Sequence, residues 1–198
     1  MRVSILGYSV GNLHSLAKAI VAAGGQPEVV TSPHERPTGA AIVLPGVGAF
    51  PPAAAWLAPM RPFLRDAAAD GRSMLGICLG MQLLLDQSEE GEGTGLGILP
   101  GRVTRLAARV VPQIGWNTLE DVTDPLVTSS GLADVYYANS FACRPDDAQT
   151  VGAWSTHETD RFPALVRTGR VVGVQFHPEK SSAPGLRFLQ AFLSEARA

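Results

Sequence analysis

Met74-Leu75-Gly76-Ile77-Cys78-Leu79-Gly80-Met81-Gln82 runs from a compact apolar stretch into a helical pattern, with one cysteine at the junction. Glycines two residues to either side of Cys78 give the stretch the form of a nucleophile elbow, with a thiol in place of the hydroxyl. On so sharp a strand-to-helix turn the flanking positions approach each other closely enough that glycine is favoured at both. The helix predicted to open at Met81 to Leu85 sets the positive end of its dipole near the sulfur, which favours a thiolate. Taken alone, Gly-x-Cys-x-Gly leaves two readings open: an activated nucleophile, or a small buried hydrophobe, the usual fate of a free cysteine.

The apolar run before this turn is one of a series. Val3 to Leu6, Glu28 to Thr31 and Ala40 to Leu44 read as strands. Between them Leu13, Leu16, Ala17, Ile20 and Val21 recur at helical spacing as far as Gly24-Gly25. The Ala-rich stretch from Ala53 to Ala69 reads as a helix, kinked or restarted at Pro59 and Pro62. Strands alternating with helices predict an α/β fold: a mostly parallel central sheet with helices on both faces. Beyond Gly101 the pattern changes to short strands at Val103 to Leu106, Val135 to Ala138, Val151 to Trp154, Ala164 to Arg167 and Val171 to Val174. Turn signals such as Pro100-Gly101 and Asp124-Pro125 separate them, and this part is expected to form an antiparallel, loop-rich extension. Leu186, Leu189, Gln190 and Leu193 share a face of a closing helix. With no repeat or linker, residues 1–198 are expected to form a single domain.

Composition excludes several function classes. Of the 198 residues 45% are apolar and 17% charged, as in an ordinary soluble globular protein. A formal net charge of −2 argues against a nucleic-acid binder, which needs clustered cations to neutralise phosphates. No stretch approaches the ~18 consecutive apolar residues of a membrane span. Met1 to Asn12 is interrupted too soon for a signal peptide. The two cysteines, Cys78 and Cys143, lie far apart without CxxC spacing, so a disulfide or zinc framework is not expected and a cytoplasmic location is. Cys143 has no charged pattern around it and reads as packing. Carboxylates do not cluster with histidines at ligand spacing, and the glycines at 46 and 48 lack the Lys-Ser/Thr of a phosphate loop, so neither metal nor cofactor is expected.

A cysteine nucleophile needs a base. His14 falls in the first helical pattern, His34 in a Pro-rich loop and His157 in a polar turn. His177 instead ends the apolar run from Val171 to Phe176 and precedes Pro178-Glu179. Pro178 biases His177 toward extended backbone. In an extended segment residues 177 and 179 project to the same side. The carboxylate then orients one ring nitrogen while the other faces the sulfur, the logic of a catalytic triad. A surface histidine and glutamate at a strand end is the alternative, and these residues alone do not exclude it.

Gly-Ile-Cys-Leu-Gly-Met-Gln at 76–82 together with Gln-Phe-His-Pro-Glu-Lys-Ser at 175–181 resembles the paired signatures of the class I glutamine amidotransferases. The resemblance spans essentially the whole chain. It implies a flavodoxin-like core and a glutaminase whose triad is Cys78, His177 and Glu179. It also implies oxyanion donors at Leu79 and Val47, and a glutamine site lined by Gly48, Gln82, Glu90, Asn139, Ser140 and Phe141. Within the family, Pro45 to Phe50, Gly95 to Gly101, Ile114 to Asn117, Gly11-Asn12 and Lys180 are similar to the branch that passes ammonia to a (β/α)8-barrel cyclase in histidine biosynthesis. That branch implies a heterodimer, with Asn12, Trp116, Tyr136 and Lys180 on the docking face. Trp116 reads equally well as core packing. Two positions depart from the branch: Gln113 and Asn139 stand where it usually carries histidine. Asn139 can still donate and accept hydrogen bonds but cannot titrate near neutral pH.

Overall fold

The computed structural model describes residues 1–8 and 13–197. The chain opens with β1 (Arg2–Leu6), α1 (Leu13–Ala22), β2 (Gln26–Val30) and β3 (Ala41–Leu44). Next come α2 (Phe50–Leu57), α3 (Arg61–Ala69), β4 (Ser73–Ile77) and the single turn α4 (Leu79–Gln82). Five strands and a helix follow: β5 (Gln87–Ser88), β6 (Gly101–Arg105), β7 (Gln113–Thr118), α5 (Pro125–Ser130), β8 (Asp134–Asn139) and β9 (Phe141–Pro145). The last elements are β10 (Val151–His157), β11 (Asp160–Thr168), β12 (Val171–Val174) and α6 (Ser182–Glu195).

Seven strands form the central sheet, in the order β10-β11-β12-β4-β3-β1-β2. From β12 to β2 every pairing is parallel; β11 lies antiparallel between β12 and β10. Strand alternation divides the core in two. Val3, Ile5, Val43, Leu75 and Ile77 face α1 and α6, through residues such as Leu16, Ile20, Phe188 and Phe192. Leu6, Ile42, Leu44 and Met74 face Phe50, Leu57 and Leu64 of α2 and α3. Helices therefore cover both faces, as the alternating pattern predicted. No helix among the described residues is long and apolar enough to cross a membrane.

The Ala-rich segment is two helices, restarted at Arg61 with Pro62 in the new first turn, as its prolines predicted. Two local expectations are corrected. The strands beyond Gly101 do not all form a separate extension. β10, β11 and β12 complete the central sheet, while β5-β6-β9 and β7-β8 make two small sheets. The helix predicted over Met81 to Leu85 stops at Gln82. The carbonyls of Leu83, Leu84 and Leu85 accept instead from the amides of Leu96, Ile98 and Gly97, so a distant segment satisfies the groups that a longer helix would use.

Candidate active site

β4 lies between β3 and β12, with Gly76 in register with Leu44 and Ile77 with Val174. The chain therefore leaves the sheet at three adjacent places: as Pro45-Gly46-Val47-Gly48, as Cys78, and as Gln175 to Glu179. Crevices at the carboxyl ends of such strands are where open α/β sheets place ligands. Cys78 has φ 48° and ψ −104°, a positive φ rarely adopted by non-glycine residues. The turn is tight on both sides. A Cβ at Gly76 would lie 2.6 Å from the Gly80 carbonyl oxygen, and one at Gly80 would lie 2.0 Å from that of Leu44. A Cβ at Gly46 would come within 3.1 Å of both Cys78 Cβ and His177 Cε1, so the 45–48 segment packs directly on the cysteine and the histidine.

Cys78 is 6% exposed and His177 1%. His177 Nδ1 and Glu179 Oε1 lie 2.8 Å apart. Sequence reasoning had them project together from an extended segment. In the structure His177 is extended, but Pro178–Lys180 is a 3₁₀ turn, and that turn carries the carboxylate back to the ring. The backbone is held as firmly. His177 N donates to the Tyr136 carbonyl at 2.8 Å, and the Ser181 hydroxyl bridges the Tyr136 amide and the His177 carbonyl. Burial, the largest influence, pulls the imidazole down. Hydrogen bonds to Cys78 and Glu179 and their negative charge outweigh it and hold the ring up to about 10. An imidazolium against the sulfur is the electrostatic partner that a thiolate needs. The dipole of a one-turn α4 is a much weaker source than the longer helix predicted from sequence.

These groups open into a cavity of about 240 Å³, smaller than the ~300–1,000 Å³ of drug-sized clefts and suited to one small molecule. Val47 and Gly48 form one wall, Leu79, Gln82 and Glu90 another, and Asn139, Ser140 and Phe141 a third, with Lys180 at the side. Sequence reasoning named all of these. Leu79 opens α4, so its amide is one of the donors that no helix partner satisfies. The 45–50 segment is pinned at both ends: Tyr8 Oη donates to the Pro45 carbonyl at 2.5 Å, and the Phe50 amide donates to Glu90 Oε2 at 2.8 Å. Burial raises the Tyr8 phenol well above its usual range, so it stays a neutral donor. Asn139 Nδ2 donates to the Phe141 carbonyl, while its Oδ1 is buried without a hydrogen-bond partner among the described residues.

Sequence reasoning missed Tyr8 and Gln175. The amide of Gln175 is fully buried and donates to Cys78 Sγ at 3.4 Å. Its place two residues before His177 was the available signal.

Of the expected docking residues, Trp116 stands 55% exposed on β7, which answers the core-packing alternative. Across the ladder it meets Tyr136 edge-on at 6.2 Å, and Lys180 Nζ lies 5.5 Å from the Tyr136 ring centre. Asn12 lies outside the described residues. Of the other histidines, His14 and His34 are exposed, and His157 Nε2 lies 2.7 Å from the Val110 carbonyl oxygen. Cys143 is an unpaired thiol in the core, pushed up by burial.

Residues 5–196 match the family described as glutamine amidotransferase class-I. A protein of Synechocystis sp. named imidazole glycerol phosphate synthase subunit HisH is 40% identical over 201 residues, covering 98% of this chain and 96% of that one. Its namesake in Nostoc punctiforme is 39% identical over 203 residues, with the same coverage. Among solved structures, one of a glutamine amidotransferase aligns with a TM-score of 0.76 at 21% identity, over 99% of both chains. PurLQS from Thermotoga maritima gives 0.75 at 20%, over 98% of both.

Proposed function

Because the chain belongs to the class I glutamine amidotransferases, we propose that it is the glutaminase subunit of an imidazole glycerol phosphate synthase. It hydrolyses glutamine to glutamate and ammonia in histidine biosynthesis. The observation that carries the chemistry is Cys78, held at positive φ on the elbow against a His177 that is itself oriented by Glu179.

In the reading we favour, Cys78 Sγ attacks the side-chain amide carbon of glutamine and the carbonyl electrons move onto oxygen. The amides of Leu79 and Val47 receive that oxyanion; losing one such donor typically costs roughly 3–4 kcal/mol. As the C–N bond breaks, His177 gives its proton to the departing nitrogen, and a γ-glutamyl thioester remains. Water adds to the thioester, His177 takes its proton, and breaking the C–S bond returns the thiolate and releases glutamate. Glu179 keeps the ring in its working orientation. Gly48, Gln82, Glu90, Asn139, Ser140 and Phe141 receive the substrate, and the unpartnered Asn139 Oδ1 accepts one of its N–H groups.

The partner in this reading is a (β/α)8-barrel cyclase, joined with this chain in a heterodimer. It combines the ammonia with a phosphoribulosyl nucleotide to give imidazole glycerol phosphate and aminoimidazole carboxamide ribotide. Exposed Trp116 and Ile114, beside Tyr136 and Lys180, supply the apolar and cationic docking face, to which Asn12 is assigned by resemblance alone.

The test is glutamate formation from glutamine by the purified chain, alone and with a barrel cyclase and its nucleotide ligand, with Cys78→Ala as control. A large rise with the liganded cyclase, abolished by the substitution, is the expected result. High activity without any partner would favour an independent hydrolase, and no activity from a folded chain would sink the reading.

A further inference from the structure

Four amide and carbonyl groups, three of them on buried side chains, form a line that ends on the nucleophile. Gln82 Nε2 donates to the Phe141 carbonyl at 3.1 Å and to Gln175 Oε1 at 3.2 Å, and Asn139 Nδ2 reaches the same carbonyl at 3.0 Å. Gln175 Nε2 in turn lies 3.4 Å from Cys78 Sγ. Amide oxygen and nitrogen are ordinarily interchangeable in assignment. Here they are not, because the line starts at a backbone carbonyl. Phe141 O can only accept, so Gln82 must present its NH2 group there. That NH2 also faces one terminus of the Gln175 amide, which must then be the oxygen, and so the NH2 of Gln175 points at the sulfur.

We propose that Gln175 is a catalytic residue of this glutaminase, donating a hydrogen bond that stabilises the Cys78 thiolate, and that Gln82 is the positioning residue that aims it. The inference rests on the proposed function in taking Cys78 as the nucleophile. Gln175 is fully buried and Gln82 is 5% exposed, so solvent does not compete for these donors. The backbone of Gln175 is already fixed by its amide's bond to the Ala164 carbonyl at 2.9 Å, which separates the side chain's role from that of the strand. Both protonation states of the sulfur are provided for. Ala138 O, at 3.9 Å, can accept from the thiol, and Gln175 Nε2 can donate to the thiolate. His177 supplies charge from one direction; Gln175 supplies a neutral donor from another.

The experiment measures the rate of Cys78 alkylation by iodoacetamide in the full chain between about pH 5 and 10, where thiolate formation sets the rate. The variant is Gln175→Met, similar in length and unable to donate, and Cys78→Ala gives the blank for Cys143. The expected result is a midpoint about one pH unit higher, which is about tenfold slower alkylation below the midpoint, with the high-pH plateau retained. Glutamate formation with the cyclase should show kcat falling about tenfold below the alkylation midpoint and recovering above it, with KM changed less than about threefold. A purely structural role would lower the rate equally at every pH, and a midpoint within about 0.2 unit of wild type would overturn the proposal. Should Gln175→Met fail to fold, Gln82→Met reads the same line. A smaller upward shift supports the proposal, and an unmoved midpoint overturns it. Wild-type glutamate formation in parallel tells a failure of the glutaminase reading from a failure of this one, because the alkylation midpoint needs no glutamine.

Discussion

Replacing Gly80 by alanine places one methyl group where the architecture of the site has no room. Its carbon would sit 2.0 Å from the Leu44 carbonyl oxygen, 2.7 Å from the Leu44 carbonyl carbon and 2.9 Å from Leu44 Cβ. Two of those atoms are backbone of a central strand, so no flexible side-chain end can swing away. Contact at an ordinary ~3.5 Å requires α4 to back off β3 by about 1 Å or more. Overpacking a core costs about 1–3 kcal/mol, and a backbone obstacle puts this case at the upper end, near ~3 kcal/mol. For a chain of this size that is a drop in Tm of about 6–12 °C. Cys78 caps the same turn and moves with it, and a displacement of ~1 Å at a reacting group is worth about a hundredfold in rate. The contrast is Gly71→Ala, where φ is +79° and nothing lies within 4 Å of the added carbon. There only backbone strain of about 1–2 kcal/mol is expected, with glutamate formation unchanged. Scanning calorimetry and the cyclase-coupled glutaminase assay on both variants decide the matter. Gly80→Ala with Tm within about 2 °C and activity within about twofold of wild type would refute the packing argument.

The His177 ring, held up to about 10 by Cys78 and Glu179 against the pull of burial, should stay protonated well above its ordinary 6.5. A folded-state value raised in this way gives stability that is full below about 6.5 and is lost as pH rises through about 10. Cys78→Ser removes the sulfur's share, so the ring should titrate lower by NMR and the alkaline decline in Tm should shrink. Arg167 grips Asp124 with two hydrogen bonds, and the Asp124 side chain is 2% exposed. Arg167→Ala strands that buried carboxylate and should lower stability by about 3–5 kcal/mol, read as a lower urea midpoint, with little effect on alkylation of Cys78. Trp116→Ala should leave the Tm of the isolated chain unchanged and weaken cyclase binding about thirtyfold or more by calorimetric titration.

Much of this molecule was legible in order. The apolar runs of β1, β3, β4 and β12 are buried on both faces and announce themselves by composition, and Gly-x-Cys-x-Gly announces the turn between β4 and α4. What was not legible is decided at a distance. Leu83-Leu84-Leu85 contains no local stop signal; α4 ends before it because the amides of residues 96–98 take those carbonyls. Strand patterns in β10 and β11 say nothing of which sheet receives them. β7 went unread as a strand because its pattern is inverted: Ile114 and Trp116 face outward while Gln113 is buried. The 3₁₀ turn at Pro178–Lys180 also defeated simple alternation, although it brought His177 and Glu179 together all the same. Gln175 was hidden by its type: a glutamine in an apolar run is silent by itself, and only its place two residues before His177 pointed to it.

The backbone at Cys78 has a further consequence, for the history of the chain and not its turnover. A side chain at φ 48° and ψ −104° stores roughly 1–3 kcal/mol of strain that glycine would not feel. Glycine at position 78 would release that strain but give up the sulfur's buried contacts and its hold on the His177 proton. The strain is kept for chemistry, and a duplicated copy released from the demand for ammonia is free to relax it at this one position.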